Sequence, residues 1–268
     1  MSSGARVELD QVSDERLPLP TRPSRTLLDR LLEVPIREAK RLEERILART
    51  QIDMGGIGAG LRARLSSRLP LQPLPVAADL QVGRALFGQW WCKTEAWDAP
   101  RLRKVALSQI RMLPMVEGLA LVLLPSPELD YPVLACDLMA LPARLSLNLE
   151  LYGAPALRPT MQSILAPHEA SLAQLRNRQG KEWSEVLASG HGVHARVDPR
   201  RAEECSATLF AVVGQYLQGL AEARPGELGA ASQRTFFAAF HEHGPRRGPL
   251  GRVLGADWAE RYSRLIFE

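Results

Sequence analysis

The chain has 268 residues, of which 46% are hydrophobic and 24% are charged, a composition that supports a sizeable core and excludes wholesale disorder. The formal net charge of +4 favours an anionic partner, but it does not distinguish nucleic acid, an acidic protein and a carboxylate-bearing ligand. Three widely spaced cysteines form no disulfide framework or CxxC motif, and no apolar run suits a membrane span or signal peptide, so we expect a reduced, cytoplasmic protein.

The N-terminal part of the chain gives few functional signals. Residues 1–24 are polar and interrupted by prolines, which predicts a disordered segment. Residues 25–50 have leucines at helical spacing, with a break or kink at Pro35. The glycine cluster MGGIGAG at 54–60 lacks the GxGxxG spacing and a preceding strand, so we interpret it as a loop and not as a dinucleotide site.

Strand-like patterns dominate the chain from Leu80 onward. Two such segments precede GLALVLLP at 118–125, VLACDLMAL at 133–141 and RLSLNLELYG at 144–153. The last segment alternates leucines with polar residues at period two, as a strand with one buried face requires. The short turns between the three segments predict an antiparallel meander with Asp137 in its centre. Because an isolated carboxylate is costly to bury, Asp137 needs a partner, a proton or a function.

The C-terminal part is predicted to be mostly helical. Residues 158–177 have helical spacing, GVHARV at 192–197 reads as a strand, and Asp198-Pro199 is a strong helix start. Two further helical segments follow, at 201–223 and 232–243. The order of helix, strand meander and helices predicts an α+β fold in which helices pack on a mostly antiparallel sheet, with 25–268 as a single domain.

Several segments, in the same order from about Phe87 to Glu268, together resemble one known family. LVLLPSPELDYPVLACDL has the layout of a strand, a turn and a strand with a central aspartate, here Asp137. PRLRKVALS, RNRQGKEWSEVL and the ending RRGPLGRVLGADWAERYSRLIFE resemble three further segments of the same family. The set is similar to the ferredoxin-dependent bilin reductases, although no single branch of that family matches throughout.

The resemblance implies a three-layer α/β/α sandwich that binds a linear tetrapyrrole such as biliverdin between sheet and helices. It implies an oxidoreductase of phycobilin or phytochromobilin synthesis, which takes electrons one at a time from reduced ferredoxin and binds no metal or flavin. On this basis we expect an acidic ferredoxin as partner, a monomer, and no nucleic-acid or membrane partner.

Asp137 falls on the family's central aspartate, and desolvation in an apolar strand suits a proton donor. Other catalytic positions of the family are replaced here. In the phycocyanobilin-forming branch, one residue partners the aspartate and two further residues lie on the strand before. Here these three positions are Ala120, Ala106 and Ser108, and the second acidic donor of related branches falls on Gly244.

The resemblance and the residue chemistry together give a set of candidate site residues. Histidines near the end of the helix at 232–243 are candidates for the missing second donor, and arginines suit propionates because their planar group forms paired hydrogen bonds. The catalytic candidates are Asp137, His241 and His243, and the substrate-binding candidates are Ser108, Ser146, Arg178, Arg246 and Arg247.

Other interpretations stay open at this point. Asp137 can be a structural aspartate bonded to backbone amides, and each arginine can be solvated surface charge. The protein can be a diverged tetrapyrrole carrier without chemistry, or a reductase of a bilin of the chlorophyll-catabolite type. A metal site at His191 and His194 is disfavoured, because residues three apart on a strand point to opposite faces.

Overall fold

The computed structural model describes residues 52–85, 90–112, 116–141, 144–178, 188, 190, 192–243 and 249–267, without the side chains of 243, 249 and 250. The described residues all fall in one compact unit. The segments predicted at 1–24 and 25–50 lie outside the described residues, so the domain boundary between them stays a prediction.

In the described part of the chain, an eight-stranded antiparallel sheet has the order β1-β3-β4-β5-β6-β7-β8, and β2 pairs with β3 along the same side as β1. The predicted meander is confirmed as the adjacent strands β5, β6 and β7. The strands are β1 (Gln72–Pro73), β2 (Val82–Ala85), β3 (Trp90–Ala99), β4 (Leu102–Met112), β5 (Val116–Pro125), β6 (Val133–Leu141), β7 (Arg144–Tyr152) and β8 (Val193–Val197).

Helices cover both faces of this sheet. The helices are α1 (Met54–Arg68), α2 (Ala78–Gln81), α3 (Arg158–Leu165), α4 (Glu169–Leu175), α5 (Ala202–Glu222), α6 (Leu228–His243), α7 (Pro249–Leu254) and α8 (Ala256–Phe267). Helices α1, α3, α4 and α5 share one hydrophobic core with the sheet, while α6 and α8 face its other side. This confirms the predicted α+β fold, a central antiparallel sheet between two helical layers. Within the described chain, no helix has the length and apolar character needed to cross a bilayer.

The alternating sequence of β7 explains why the two sides of the sheet differ. Leu145, Leu147, Leu149 and Leu151 are each 0% exposed and belong to the core beneath α5. The polar residues between them therefore point to the opposite face, toward α6 and α8. Period-two patterning thus separates a leucine-rich core from a face on which polar chemistry is possible.

The glycine cluster at 54–60 is not a loop, so that interpretation was wrong. It begins α1, whose first turn is capped by Asp53: the backbone N–H of Gly56 donates to Asp53 Oδ1 at 2.8 Å. A Cβ at Gly58 would lie 2.7 Å from Nε2 of Gln109, so the glycine allows close packing against β4. The N-cap and the burial of Leu61 and Leu65 offset the poor helix propensity of glycine.

Leu147→Ala in the centre of β7 is expected to lower the free energy of unfolding by about 2–5 kcal/mol, because it opens a cavity in the close-packed core. Denaturant unfolding measures the loss. Glu203→Ala, on the exposed side of α5, is the control and should change stability by less than about 0.5 kcal/mol. Equal effects of the two substitutions would contradict the core described here.

Burial raises the pKa of the Cys92 thiol from 9.0 to about 11, against the opposing effect of its hydrogen bond with Thr94. The pKa of Cys92 is higher in the folded protein than in the unfolded chain, so the buried neutral thiol contributes to stability. This contribution is complete below pH 9 and is lost as the pH rises toward 11. We expect the free energy of unfolding to fall over this interval, and to fall less steeply in Cys92→Ala. Denaturation curves collected at several alkaline pH values test this, and identical slopes would refute it.

Candidate active site

A cavity of about 480 Å³ lies between the polar face of the sheet and helices α6 and α8. Its volume is in the range of sites that bind small organic ligands. Small side chains of the sheet form part of its floor, among them Ala120 and Ala135, and aromatic side chains form its opposite wall. These aromatic residues are Phe236 and Phe240 of α6 and Tyr262 and Phe267 of α8, and Tyr152 lines the cavity from the end of β7.

Asp137 lines this cavity from the middle of β6 and is half-buried. The strand register places it beside Ala120 of β5 and Asn148 of β7. Asn148 Nδ2 donates a hydrogen bond to Asp137 Oδ1 at 2.7 Å. The carboxyl group is therefore held by a side-chain amide and faces a cavity, so it is not walled off in the core. The expectation that desolvation favours its protonated form stays a prediction.

The polar row extends from Asn148 across β7 and β8. His194 Nδ1 lies 3.3 Å from Asn148 Oδ1, and His194 Nε2 lies 3.6 Å from Glu150 Oε2. Oε1 of Glu150 accepts the backbone N–H of Leu151 at 2.9 Å. Asp137, Asn148, His194 and Glu150 thus form one connected side-chain network along the floor of the cavity.

Two arginines and a serine lie at the edge of the cavity. Ser146 on β7 stands directly opposite Arg196 on β8, and Arg178 lines the same cavity. Arg178 follows a segment that is fixed to β8: Asn177 Nδ2 donates to the backbone oxygen of Arg196 at 2.7 Å, and the Arg196 N–H donates to Asn177 Oδ1 at 2.9 Å. Both arginine side chains are exposed, so they form a positively charged rim that solvent and an anionic ligand can reach.

Ser108 lies deeper than the predicted substrate contact requires. It is 0% exposed, its Oγ lies 3.1 Å from Thr94 Oγ1, and it accepts a hydrogen bond from the Tyr262 hydroxyl at 2.8 Å. Burial is the main cause that raises the pKa of Tyr262 well above its ordinary value, so the phenol stays neutral and can donate. Ser108 therefore fixes Tyr262, which lines the cavity, and its own contact with substrate stays a prediction.

The remaining predicted residues come from the end of α6 and beyond. His241 is half-buried on α6, next to Phe240, but it is not among the described residues that line the cavity. The His243 side chain, Arg246 and Arg247 lie outside the described residues, so their roles stay predictions.

Cys136 also lines the cavity, but it does not supply a thiolate. Burial, reinforced by the charge of neighbouring Asp137, raises the pKa of its thiol far above the ordinary value. Nor does the described part of the chain bring together three or more side chains of the kind that bind metal ions.

The chain matches the family model of the ferredoxin-dependent bilin reductases over residues 59–268. It is a member of that family. The chain is 26% identical over 230 residues to a phycoerythrobilin:ferredoxin oxidoreductase from Synechococcus sp. (strain RCC307), covering 72% of this chain and 83% of the relative. The tomato phytochromobilin synthase, solved in complex with biliverdin, has the same fold, with a TM-score of 0.66 and 16% identity over 77% of this chain and 81% of that chain.

Membership of the family agrees with the resemblance found in the sequence. The structure also places in the cavity several residues of this bilin reductase that were not predicted from the sequence. These residues are Asn148, Glu150, His194 and Arg196. The signal for two of them was present: SLNLELY places Ser146, Asn148 and Glu150 on one face, the face that carries the predicted serine. For His194 and Arg196 the missing information was which strand pairs with β8.

Ala120→Leu is expected to leave the free energy of unfolding within about 1 kcal/mol of wild type, because the added side chain enters the cavity next to Asp137. Ala195→Leu is the matched control: Ala195 is 1% exposed in the core face of β8, where overpacking costs about 1–3 kcal/mol. Denaturant unfolding of both variants tests whether the cavity is real. If Ala120→Leu costs as much as Ala195→Leu, the space beside Asp137 is filled.

Proposed function

We propose that this bilin reductase reduces a linear tetrapyrrole of the biliverdin type with electrons from reduced ferredoxin, and that Asp137 is a proton donor in the reaction. The observation that carries the proposal is the position of Asp137, whose carboxyl group lines a cavity with aromatic walls and an arginine rim. A buried structural aspartate would not need that cavity.

The walls of the cavity suit a flat conjugated ligand. Phe236 is stacked on Tyr152 with ring centroids 4.5 Å apart, and the ring centroids of Phe240 and Phe267 are 4.1 Å apart. The aromatic side chains of α6 and α8 face the small residues of the sheet, so an extended ring system can lie between two apolar surfaces.

The rim suits the two propionates of such a pigment. Arg178 and Arg196 provide guanidinium groups, and Ser146, paired with Arg196 across the two strands, provides a hydroxyl. Charge-assisted hydrogen bonds from these groups would fix the carboxylate arms at the edge of the cavity, while the conjugated rings extend toward Asp137.

The chemistry requires electrons and protons in equal number. Each two-electron reduction of one pigment double bond consumes two electrons from two reduced ferredoxins and two protons, and forms two new bonds to hydrogen. Asp137 in its acid form can hydrogen-bond pyrrole nitrogens or lactam oxygens and then give up one proton once an electron has arrived. Asn148, which donates to Oδ1, keeps the carboxyl group oriented toward the pigment.

Mixing the purified protein with biliverdin and then with reduced ferredoxin separates the possible functions. If the protein reduces biliverdin, we expect the visible absorption of the pigment to shift on binding and to change a second time after electrons are supplied. A binding shift without the second change would identify a carrier, and no shift at all would remove biliverdin-type pigments as ligands.

Asp137→Asn is expected to reduce turnover by about 100-fold or more, because the amide keeps the shape of the side chain but cannot donate an acidic proton. Pigment binding, measured by absorption titration, should change little. Asp98→Asn, at an exposed position near the end of β3, is the control and should keep wild-type turnover. Wild-type turnover in Asp137→Asn would remove Asp137 from the mechanism.

A further inference from the structure

We propose that Glu150 and His194 together are the second proton donor of this enzyme. This inference rests on the proposed reduction of a linear tetrapyrrole, since it assigns the proton that Asp137 does not supply. The pair lies on the floor of the same cavity, on β7 and β8.

The burial of the pair is unusual for two ionisable groups. The Glu150 side chain is 4% exposed and the His194 side chain is 16% exposed, with Oε2 and Nε2 3.6 Å apart. A carboxylate buried to this degree is costly unless a cation or a proton compensates it. His194 faces this carboxyl group and can provide either, because histidine can carry a hydrogen on each of its two ring nitrogens.

The polarity of the network indicates where the proton lies. Asn148 directs its NH₂ group to Asp137 and therefore presents its oxygen to His194. An amide oxygen only accepts, so Nδ1 of His194 must carry hydrogen. Nε2 then faces Glu150. A neutral imidazole of this tautomer would direct its lone pair at a carboxylate, which is repulsive. The contact becomes favourable when one proton resides on Nε2 or on the carboxyl group. The pair thus stores one transferable proton beside the pigment site.

The backbone around Glu150 keeps its carboxyl group in place. Leu151 N–H donates to Oε1, and Oε2 lies 3.6 Å from Nε2 of His194. On the other side, a Cβ added at Gly192 would lie 2.5 Å from Oε2 and 2.4 Å from the backbone oxygen of Leu149. Only glycine lets the chain pass this close. In turn, Gly192 is held by Arg176, whose Nε donates to its oxygen at 2.9 Å.

Both protons that the reaction consumes then come from groups in one cavity. For each double bond reduced, two ferredoxins deliver one electron each, Asp137 supplies one proton, and the Glu150–His194 pair supplies the other. Both donors regain a proton from solvent after the product leaves. Asn148 does not carry protons, since an amide nitrogen is a poor relay, but it is a positioning residue that orients both donors.

Other charged or titratable groups line the cavity together with the pair. The charged ones are Arg178, Arg196 and Asp137. The remaining groups that line the cavity and can titrate are Tyr152, Tyr262 and Cys136.

Glu150→Gln and His194→Gln test the proposal in the full-length protein with biliverdin and reduced ferredoxin. Glu150→Gln keeps Oε1 as an acceptor for Leu151 and removes only the acidic function. We expect both variants to bind biliverdin with wild-type absorption spectra but to complete the two-electron reduction about 100-fold more slowly. A pigment radical formed by the first electron should accumulate, detectable by electron paramagnetic resonance, because the step that needs the second proton is blocked.

Matched controls are Glu203→Gln on the exposed side of α5 and His168→Gln in the helical layer on the opposite face of the sheet. Both should reduce biliverdin at the wild-type rate. The pH profile gives a further readout: loss of the pair should remove one of the ionisations that limit the wild-type rate, which a purely structural defect would not do.

The possible failures are distinguishable. If wild type turns over and both Gln variants match it in rate and pH profile, the pair is not the donor and the proposed function stands. If the Gln variants lose pigment binding together with turnover, the pair has a structural role and the inference is wrong. If wild type binds pigment but reduces none of it, the proposed function and this inference are both overturned.

Discussion

The pairing register of strands β6, β7 and β8 is the constraint on which the site depends. It places Asp137 opposite Asn148 and Asn148 opposite His194, so that three polar side chains form a row across the sheet. A slip of one residue would turn this row into the leucine core and bring leucines into the cavity. The register is protected because the opposite face of β7 buries four leucines, and a slip would expose them all. The stability of the core and the geometry of the site therefore have the same origin.

The two helical layers have different tasks. Helix α5 and its neighbours seal the leucine face with close-packed side chains, whereas α6 and α8 leave a cavity over the polar face. Contacts in the first turn and in the middle of α8 fix this second layer: Trp258 Nε1 donates to the backbone oxygen of Asp79 at 2.8 Å, and the Tyr262 hydroxyl donates to Ser108. A fixed aromatic wall above a fixed polar floor can hold a flat ligand in one orientation, which is what directing a proton to one position of a pigment requires.

The fold was largely predictable from the sequence, and the site was predictable in part. The alternation in β7 and the short turns around β6 identify the meander, because period-two burial and hairpin connections are local properties. Asp137, Ser146 and Arg178 were found as site candidates because polar residues in apolar strands and a family motif single them out, and the structure brings all three to one cavity. His194 was missed because its place in the site depends on the pairing of β7 with β8, two strands far apart in the sequence, which no local pattern encodes. Glu150 shares the polar face of β7 with Ser146, but only its contact with His194 distinguishes it from an ordinary polar residue of that strand. The glycine cluster at 54–60 was misread because the cap at Asp53 and the burial of α1 outweigh glycine propensity. The cap is a local signal that the interpretation did not use, whereas the burial depends on tertiary context.

A crystal structure of the protein with biliverdin bound tests the account most directly, through the distance from the Asp137 carboxyl group to the pigment. We expect pigment between the sheet and helices α6 and α8, with a carboxyl oxygen of Asp137 within hydrogen-bond distance of a pyrrole nitrogen or lactam oxygen and the propionates at Arg178 and Arg196. Pigment bound on another surface, or bound in this cavity with Asp137 beyond the reach of any pigment nitrogen or oxygen, would contradict it.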